Sequence, residues 1–155
     1  MQKISSVLKK LENSPALSAL HFEAGDHYAW NKQKNTITFD KSAEGDDAVA
    51  SLLHEAGHAL LEHSDYPDDV SLLAIERAAW DEAKVLAASI SITIDDELVE
   101  TALDTYRDWL HARSTCPNCQ ATGIQIADRR YQCIACHHEW RVNEARTCAL
   151  RRYTT

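Results

Sequence analysis

The run His54-Glu55-Ala56-Gly57-His58 carries the strongest chemical signal in this 155-residue chain. On a helix, residues at i and i+4 share one face, so the two imidazoles can grip a single ion. Neutral imidazole nitrogen suits zinc, and two such donors leave positions for a third protein ligand and a water. Glu55 points off the ligand line yet stays within reach of that water, where a carboxylate can serve as general base in peptide hydrolysis.

A second constellation stands near the far end. Cys116-Pro117-Asn118-Cys119 and Cys133-Ile134-Ala135-Cys136 are separated by 13 residues. Four thiolates at this spacing make a closed tetrahedral site, the signature of a zinc ribbon. The intervening stretch reads as a small hairpin, with Ile124 and Ile126 before an Asp128-Arg129 turn and Tyr131 after it. So short a segment has too few large apolar side chains to fold well without its ion. His137 and His138 adjoin the second pair as surface residues, Trp140 and Val142 form a strand against the knuckles, and Cys148 is left as a spare thiol. An odd cysteine count with two close pairs fits metal binding better than a disulfide framework.

Two histidines alone hold zinc poorly, so a third donor is required, and Glu76, Asp81, Glu82, His63 and Asp65 are the candidates. We favour Glu76, because Ala79 and Ala83 follow it at i+3 and i+7. A stripe of one carboxylate and two alanines can press close against the histidine-bearing helix. Asp81 and Glu82 are alternative ligands or outer partners of an imidazole. Tyr66, His63 and Tyr106 are candidates for stabilising an oxyanion.

Periodicity supplies the elements that must hold these groups. Ile4, Val7, Leu8 and Leu11 predict a first helix closed by Asn13-Ser14-Pro15. Tyr28-Ala29-Trp30 and Thr36-Ile37-Thr38-Phe39 read as a hairpin across the polar stretch 31–35. A helix opens at Gly45-Asp46-Asp47, with Asp46 or Asp47 as cap, and Val49, Leu52, Leu53, Ala56, Leu60 and Leu61 supply its apolar surface. Pro67 fits the first turn of the next helix, which runs to about Ser89, and Leu98, Ala102, Leu103, Tyr106, Trp109 and Leu110 mark another.

His54-Glu55-Ala56-Gly57-His58 followed by Glu76-Arg77-Ala78-Ala79-Trp80-Asp81-Glu82-Ala83 resembles the ImmA/IrrE group of zinc metallopeptidases, within the gluzincin class, over roughly residues 25 to 90. Those proteins carry His-Glu-x-Gly-His and then Glu-x-x-Ala-x-x-[large apolar]-Ala; here the large apolar position holds Glu82. The resemblance implies zinc ligands at His54, His58 and Glu76, Glu55 as base, and a regulatory protein as substrate. It also implies that the strand Thr36 to Phe39 is the edge a substrate peptide joins. A His-Glu-x-x-His domain followed by a four-cysteine ribbon also looks like the SprT/Spartan group, which cleaves protein crosslinked to DNA and uses a histidine as third ligand; His63 and His111 are the candidates for that role.

These readings combine into one expectation: an α+β protein with a mainly helical, zincin-like metallopeptidase domain and small sheet over residues 1–112, and a β zinc ribbon over 113–155. It would be a zinc endopeptidase with one catalytic and one structural ion. The rival is a zinc-bearing regulatory or DNA-binding protein that does not hydrolyse. The net charge of −8 is uneven, with 9 Lys+Arg against 21 Asp+Glu in residues 1 to 112 and 7 against 3 in residues 113 to 155. An acidic body repels a phosphate backbone, whereas Arg113, Arg129, Arg130, Arg141 and Arg146 could give the ribbon a weak nucleic-acid or protein contact. No stretch approaches the ~18 uninterrupted apolar residues of a membrane span, and Met1-Gln2-Lys3-Ile4-Ser5 leads into an amphipathic pattern rather than a signal peptide, so a cytosolic location is expected.

Overall fold

The structure is a computed structural model that describes residues 3–143 and 152–154. Cys148 and Arg146 lie outside the described residues. Among those described are four α-helices and two small sheets, an α+β arrangement, and no helix is long and apolar enough to cross a membrane. The chain divides into two compact units, one of residues 1–65 and 75–100, the other of 66–74 and 101–155.

The first unit begins with α1 (Ile4–Glu12), whose buried Ile4, Val7 and Leu11 keep the helical period. A 3-10 turn (Pro15–Leu17) follows, and then three strands, β1 (His21–Gly25), β2 (Ala29–Asn31) and β3 (Thr36–Asp40). The β2–β3 hairpin is antiparallel, as the sequence predicts. The parallel partner β1 is not signalled by any clean alternation, and its residues are mostly exposed. Its presence overturns one expectation: the sheet order is β1-β3-β2, so Thr36–Asp40 is the central strand, hydrogen-bonded on both sides, and no peptide can join it. The reason is backbone pairing: β1 lies parallel along the edge of β3 left free by the hairpin, from His21 opposite Thr36 to Gly25 opposite Asp40.

Helix α2 (Asp46–Leu60) starts from Gly45, whose φ of 98° lies where side-chain-bearing residues rarely go. Neither Asp46 nor Asp47 caps it by a side-chain hydrogen bond; both sit in its first turn, where their charge favours the positive end of the helix. Leu52, Leu53 and Ala56 are fully buried, as are Leu11, Leu17 and Ile37 on the elements that α2 contacts. Helix α3 (Asp69–Ser89) begins two residues after Pro67, so that proline precedes the helix instead of lying in its first turn. Asp68 does the capping, accepting the Ser71 backbone N–H at 2.7 Å. Helix α4 spans Asp96–Ser114.

In the second unit β4 (Gly123–Ala127), β5 (Arg130–Cys133), β6 (Glu139–Val142) and β7 (Arg152–Thr154) form an antiparallel meander. Cys116, Tyr131, Cys133, Trp140 and Val142 make its small core. Arg113, at the end of α4, is built into this unit. It forms an ion pair with Asp69 Oδ2 at 3.1 Å, donates to Tyr131 Oη at 3.2 Å and lies over the Trp109 ring, and its carbonyl accepts the Trp140 indole N–H at 3.0 Å. At 2% exposure it cannot meet a phosphate, which corrects the sequence reading of this residue; an arginine so placed is kept by its buried carboxylate partner.

Candidate metal centres

Within α2 the helical period that buries Leu52, Leu53 and Ala56 also turns His54 and His58 inward, one turn apart. What they meet is α3. A Cβ on Gly57 would fall inside the van der Waals envelope of the Ala79 backbone carbonyl, with Ala83 N also close, so the glycine lets the two helix backbones touch at a stripe of alanines. Glu76 lies one turn before Ala79 on the same face and is thereby delivered to the imidazoles.

The three donors converge. Glu76 Oε2 lies 3.0 Å from His54 Nε2 and 3.5 Å from His58 Nε2, and the two Nε2 atoms are 3.1 Å apart. A tetrahedral ion with arms of about 2.05 Å separates its donors by about 3.3 Å, so this triangle has the dimensions of one face of a zinc shell. The group could hold a metal ion. Burial works against ionising Glu76, but the hydrogen bonds and charges of His54 and His58 outweigh it and hold the carboxyl at about 2.

Each imidazole is supported differently. His54 stacks on Trp80, ring centroids 4.2 Å apart and 23° between planes, while its buried Nδ1 has no hydrogen-bond partner among the described residues. His58 Nδ1 lies 2.9 Å from Nδ1 of His63. His63 therefore engages His58 on the ring nitrogen opposite the Glu76 side and does not close the triangle as a third ligand. Asp81 is exposed and Glu82 half-buried, and neither partners an imidazole; one residue of helix is worth about 100°, which carries both off the stripe that Glu76, Ala79 and Ala83 share. The outer role that the sequence offered to Asp81 or Glu82 is filled by His63 instead. Asp65 is exposed. Tyr66 and Tyr106 belong to the other compact unit.

Glu55 is half-buried beside the triangle. Burial pushes its carboxyl up, against the pull of His54, His58 and the Trp30 backbone N–H. Raised basicity suits a group that must accept a proton. Burial likewise pushes His63 down, reinforced by His58.

The second centre is assembled from two copies of one turn. Gln120 N donates to Cys116 O at 2.9 Å and Cys116 N to Ala121 O at 2.8 Å; His137 N to Cys133 O at 3.1 Å and Cys133 N to His138 O at 2.8 Å repeat the pattern. In both copies the residue after the second cysteine is left-handed, Gln120 at φ 65° and His137 at φ 62°. Backbone N–H groups of Asn118, Ala135 and Cys136 point at Cys116 and Cys133 sulfur at 3.3 to 3.4 Å. The sulfurs stand 3.7 Å (Cys116–Cys136) and 3.5 Å (Cys119–Cys133) apart. That is far beyond a disulfide, about 2.05 Å, and close to the ~3.8 Å edge of a tetrahedron with 2.3 Å arms.

The charge balance agrees. The His138 backbone N–H and the Asn118 amide draw Cys136 down to about 6, and Cys133 is also lowered, first by the Cys136 N–H. The Ala121 N–H favours a Cys119 thiolate, yet the three neighbouring sulfurs push that thiol up to about 12. Four sulfurs converge here, and this group too could hold a metal ion. His137 is exposed, whereas His138 is half-buried with its ring stacked along Trp140, a role the surface reading missed. Among the ribbon arginines, Arg129 pairs with Asp128 and Arg130 with Glu139, and Arg141 lies over the Tyr153 ring. A scan against protein-family models and searches of curated proteins and of solved structures returned no match to this chain.

Proposed function

We propose that this protein is a zinc-dependent endopeptidase of the ImmA/IrrE, gluzincin-like kind, with a zincin-like catalytic unit and a structural zinc in the ribbon. The convergence of His54, His58 and Glu76 beside Glu55 is the observation that carries the reading. Zinc held there would polarise a scissile carbonyl and make water more acidic. Glu55, adjacent in sequence to a ligand and raised in basicity, takes the proton of the attacking water and returns it to the leaving amine. A carboxylate as third donor favours this group over the SprT/Spartan one.

The substrate is a polypeptide. β2 is an edge strand, and its Trp30 N–H contributes to the Glu55 environment, so an extended peptide adding along β2 would lie at the base. The exposed Arg129, Arg130 and Arg141 give the ribbon a surface for recruiting a protein or nucleic acid. Glu55→Gln is expected to lower turnover by on the order of 10²–10⁴-fold while leaving two zinc ions per chain. Hydrolysis of candidate partner proteins, with metal content measured alongside, tests this, and equal cleavage by variant and parent refutes it.

A further inference from the structure

The two imidazoles that converge on Glu76 are not held alike. His54 has a stacked indole on its face and, among the described residues, no hydrogen-bond partner for Nδ1, whereas His58 has Nδ1 of His63 at 2.9 Å. The end of α2 puts His63 there. Glu62 N bonds Ala59 O at 3.1 Å and His63 N bonds His58 O at 3.0 Å, the paired bonds with which a Schellman motif closes a helix. Such a closure needs a left-handed residue, and Glu62 takes that conformation at φ 53° in place of the usual glycine.

In this motif the residue after the left-handed one returns over the last turn and commonly makes an apolar contact with the residue five positions back. Here those two positions are His63 and His58, and a ring-to-ring hydrogen bond takes the place of the apolar contact. Two further bonds pin the turn: the Trp30 indole N–H donates to His63 O at 3.0 Å and Lys32 Nζ to Glu62 O at 2.9 Å. The left-handed glutamate is held from β2 and the segment just after it. His63 is thus placed by backbone, not by side-chain chance.

We propose that His63 is the positioning residue of His58, accepting the Nδ1 proton so that Nε2 is presented to a metal ion; the inference rests on the metal-site reading above. A histidine ring has two nitrogens, and the one left free for a ligand is fixed by what the other bonds. A neutral His58 that donates Nδ1–H to His63 has its lone pair on Nε2, the atom that faces Glu76 and His54. His63 itself must then carry its proton on Nε2. It stays outside the triangle and touches the reaction only through His58.

The full chain with both sites present allows a direct test, the cysteine site serving as internal reference. Zinc affinity of the histidine site, read by chelator competition, should fall about 10–100-fold in His63→Leu, which offers no acceptor. His63→Asn, whose Oδ1 can stand where Nδ1 stood, should recover most of that loss. Cysteine-site affinity and helical circular dichroism should be unchanged in both. In zinc-loaded parent and His63→Asn the His58 Nδ1–H should give a ring N–H resonance protected from exchange with water, and in His63→Leu that protection should vanish. Parent-like affinity and protection in His63→Leu would overturn the positioning role alone. Zinc uptake only at the cysteines in the parent would overturn the metal-site reading, and the positioning role with it.

Discussion

The two ligand clusters are built by opposite routes. The cysteines come in two short turns whose hydrogen bonds are nearly all local, and two of the four sulfurs belong to exposed residues. The histidines and Glu76 sit in regular helix, buried, with Glu76 22 residues from His54 in sequence. Each knuckle keeps a side-chain-bearing residue in left-handed backbone, held by a backbone bond back to the first cysteine of its pair. By contrast, α2 and α3 owe their places to apolar packing, and the donor triangle is a by-product of that packing. Under the proposed function, the first centre would need its ion in order to fold, whereas the second would be prepared in advance by packing.

Removing metal should expose this difference with the largest effect. Structural zinc contributes on the order of 10–16 kcal/mol of apparent binding free energy in small cysteine modules. Chelation is therefore expected to unfold the segment around Cys116 to Val142 while α2 keeps its amide protection, a contrast that hydrogen exchange reads residue by residue. Simultaneous loss of protection in both would break the comparison.

Gly57→Ala should do the reverse, with an intermediate effect. Alanine gains about 1 kcal/mol over glycine in a helix interior, but overpacking costs about 1–3 kcal/mol, and the obstacle here is the Ala79 backbone, which no rotamer change relieves. We expect net destabilisation near 1–2 kcal/mol by denaturant titration. Glu76 should be driven from the imidazoles, so that zinc is lost from the histidine site and kept at the cysteines. A variant that retains both ions would show that the close approach of the helices is not what sets the site.

Asp68→Ala should give the smallest effect. Hydrogen bonds from Ser71 lower the Asp68 carboxyl below its ordinary 3.8. The sign follows: a carboxyl lowered in the folded protein stabilises it above the unfolded value, and that contribution is lost as pH falls through the folded one. Parent and variant melting temperatures should differ slightly at neutral pH and converge as pH falls below the ordinary carboxyl value of 3.8. A large gap would mean that α3, and with it the placement of Glu76, depends on its cap more than on packing.

Much of this was legible along the chain. The helical periods around Val7, Leu52 and Leu86, the hairpin ending at Phe39 and the knuckle spacing all encode short-range geometry, which repeats wherever the pattern repeats. β1 was hidden because an exposed five-residue strand lacks the apolar alternation that marks one, and with it went the central position of β3. Asp69 gave Arg113 no local signal either, since the two lie 44 positions apart in sequence and meet only in the folded unit.

What the residues determined by themselves was the chemistry on offer: paired imidazoles with a neighbouring carboxylate, and four thiols at knuckle spacing. Tertiary structure decided which acid reaches the imidazoles, because the close approach of α3 to α2 at Gly57 and Ala79 brings Glu76, one turn earlier, to His54 and His58. It likewise decided that His63 stands behind His58, because a left-handed turn at Glu62, held by Trp30 and Lys32, sends the chain back over its own last turn. Spacing fixes what lies within one turn of backbone, while everything farther depends on which surfaces exclude water together.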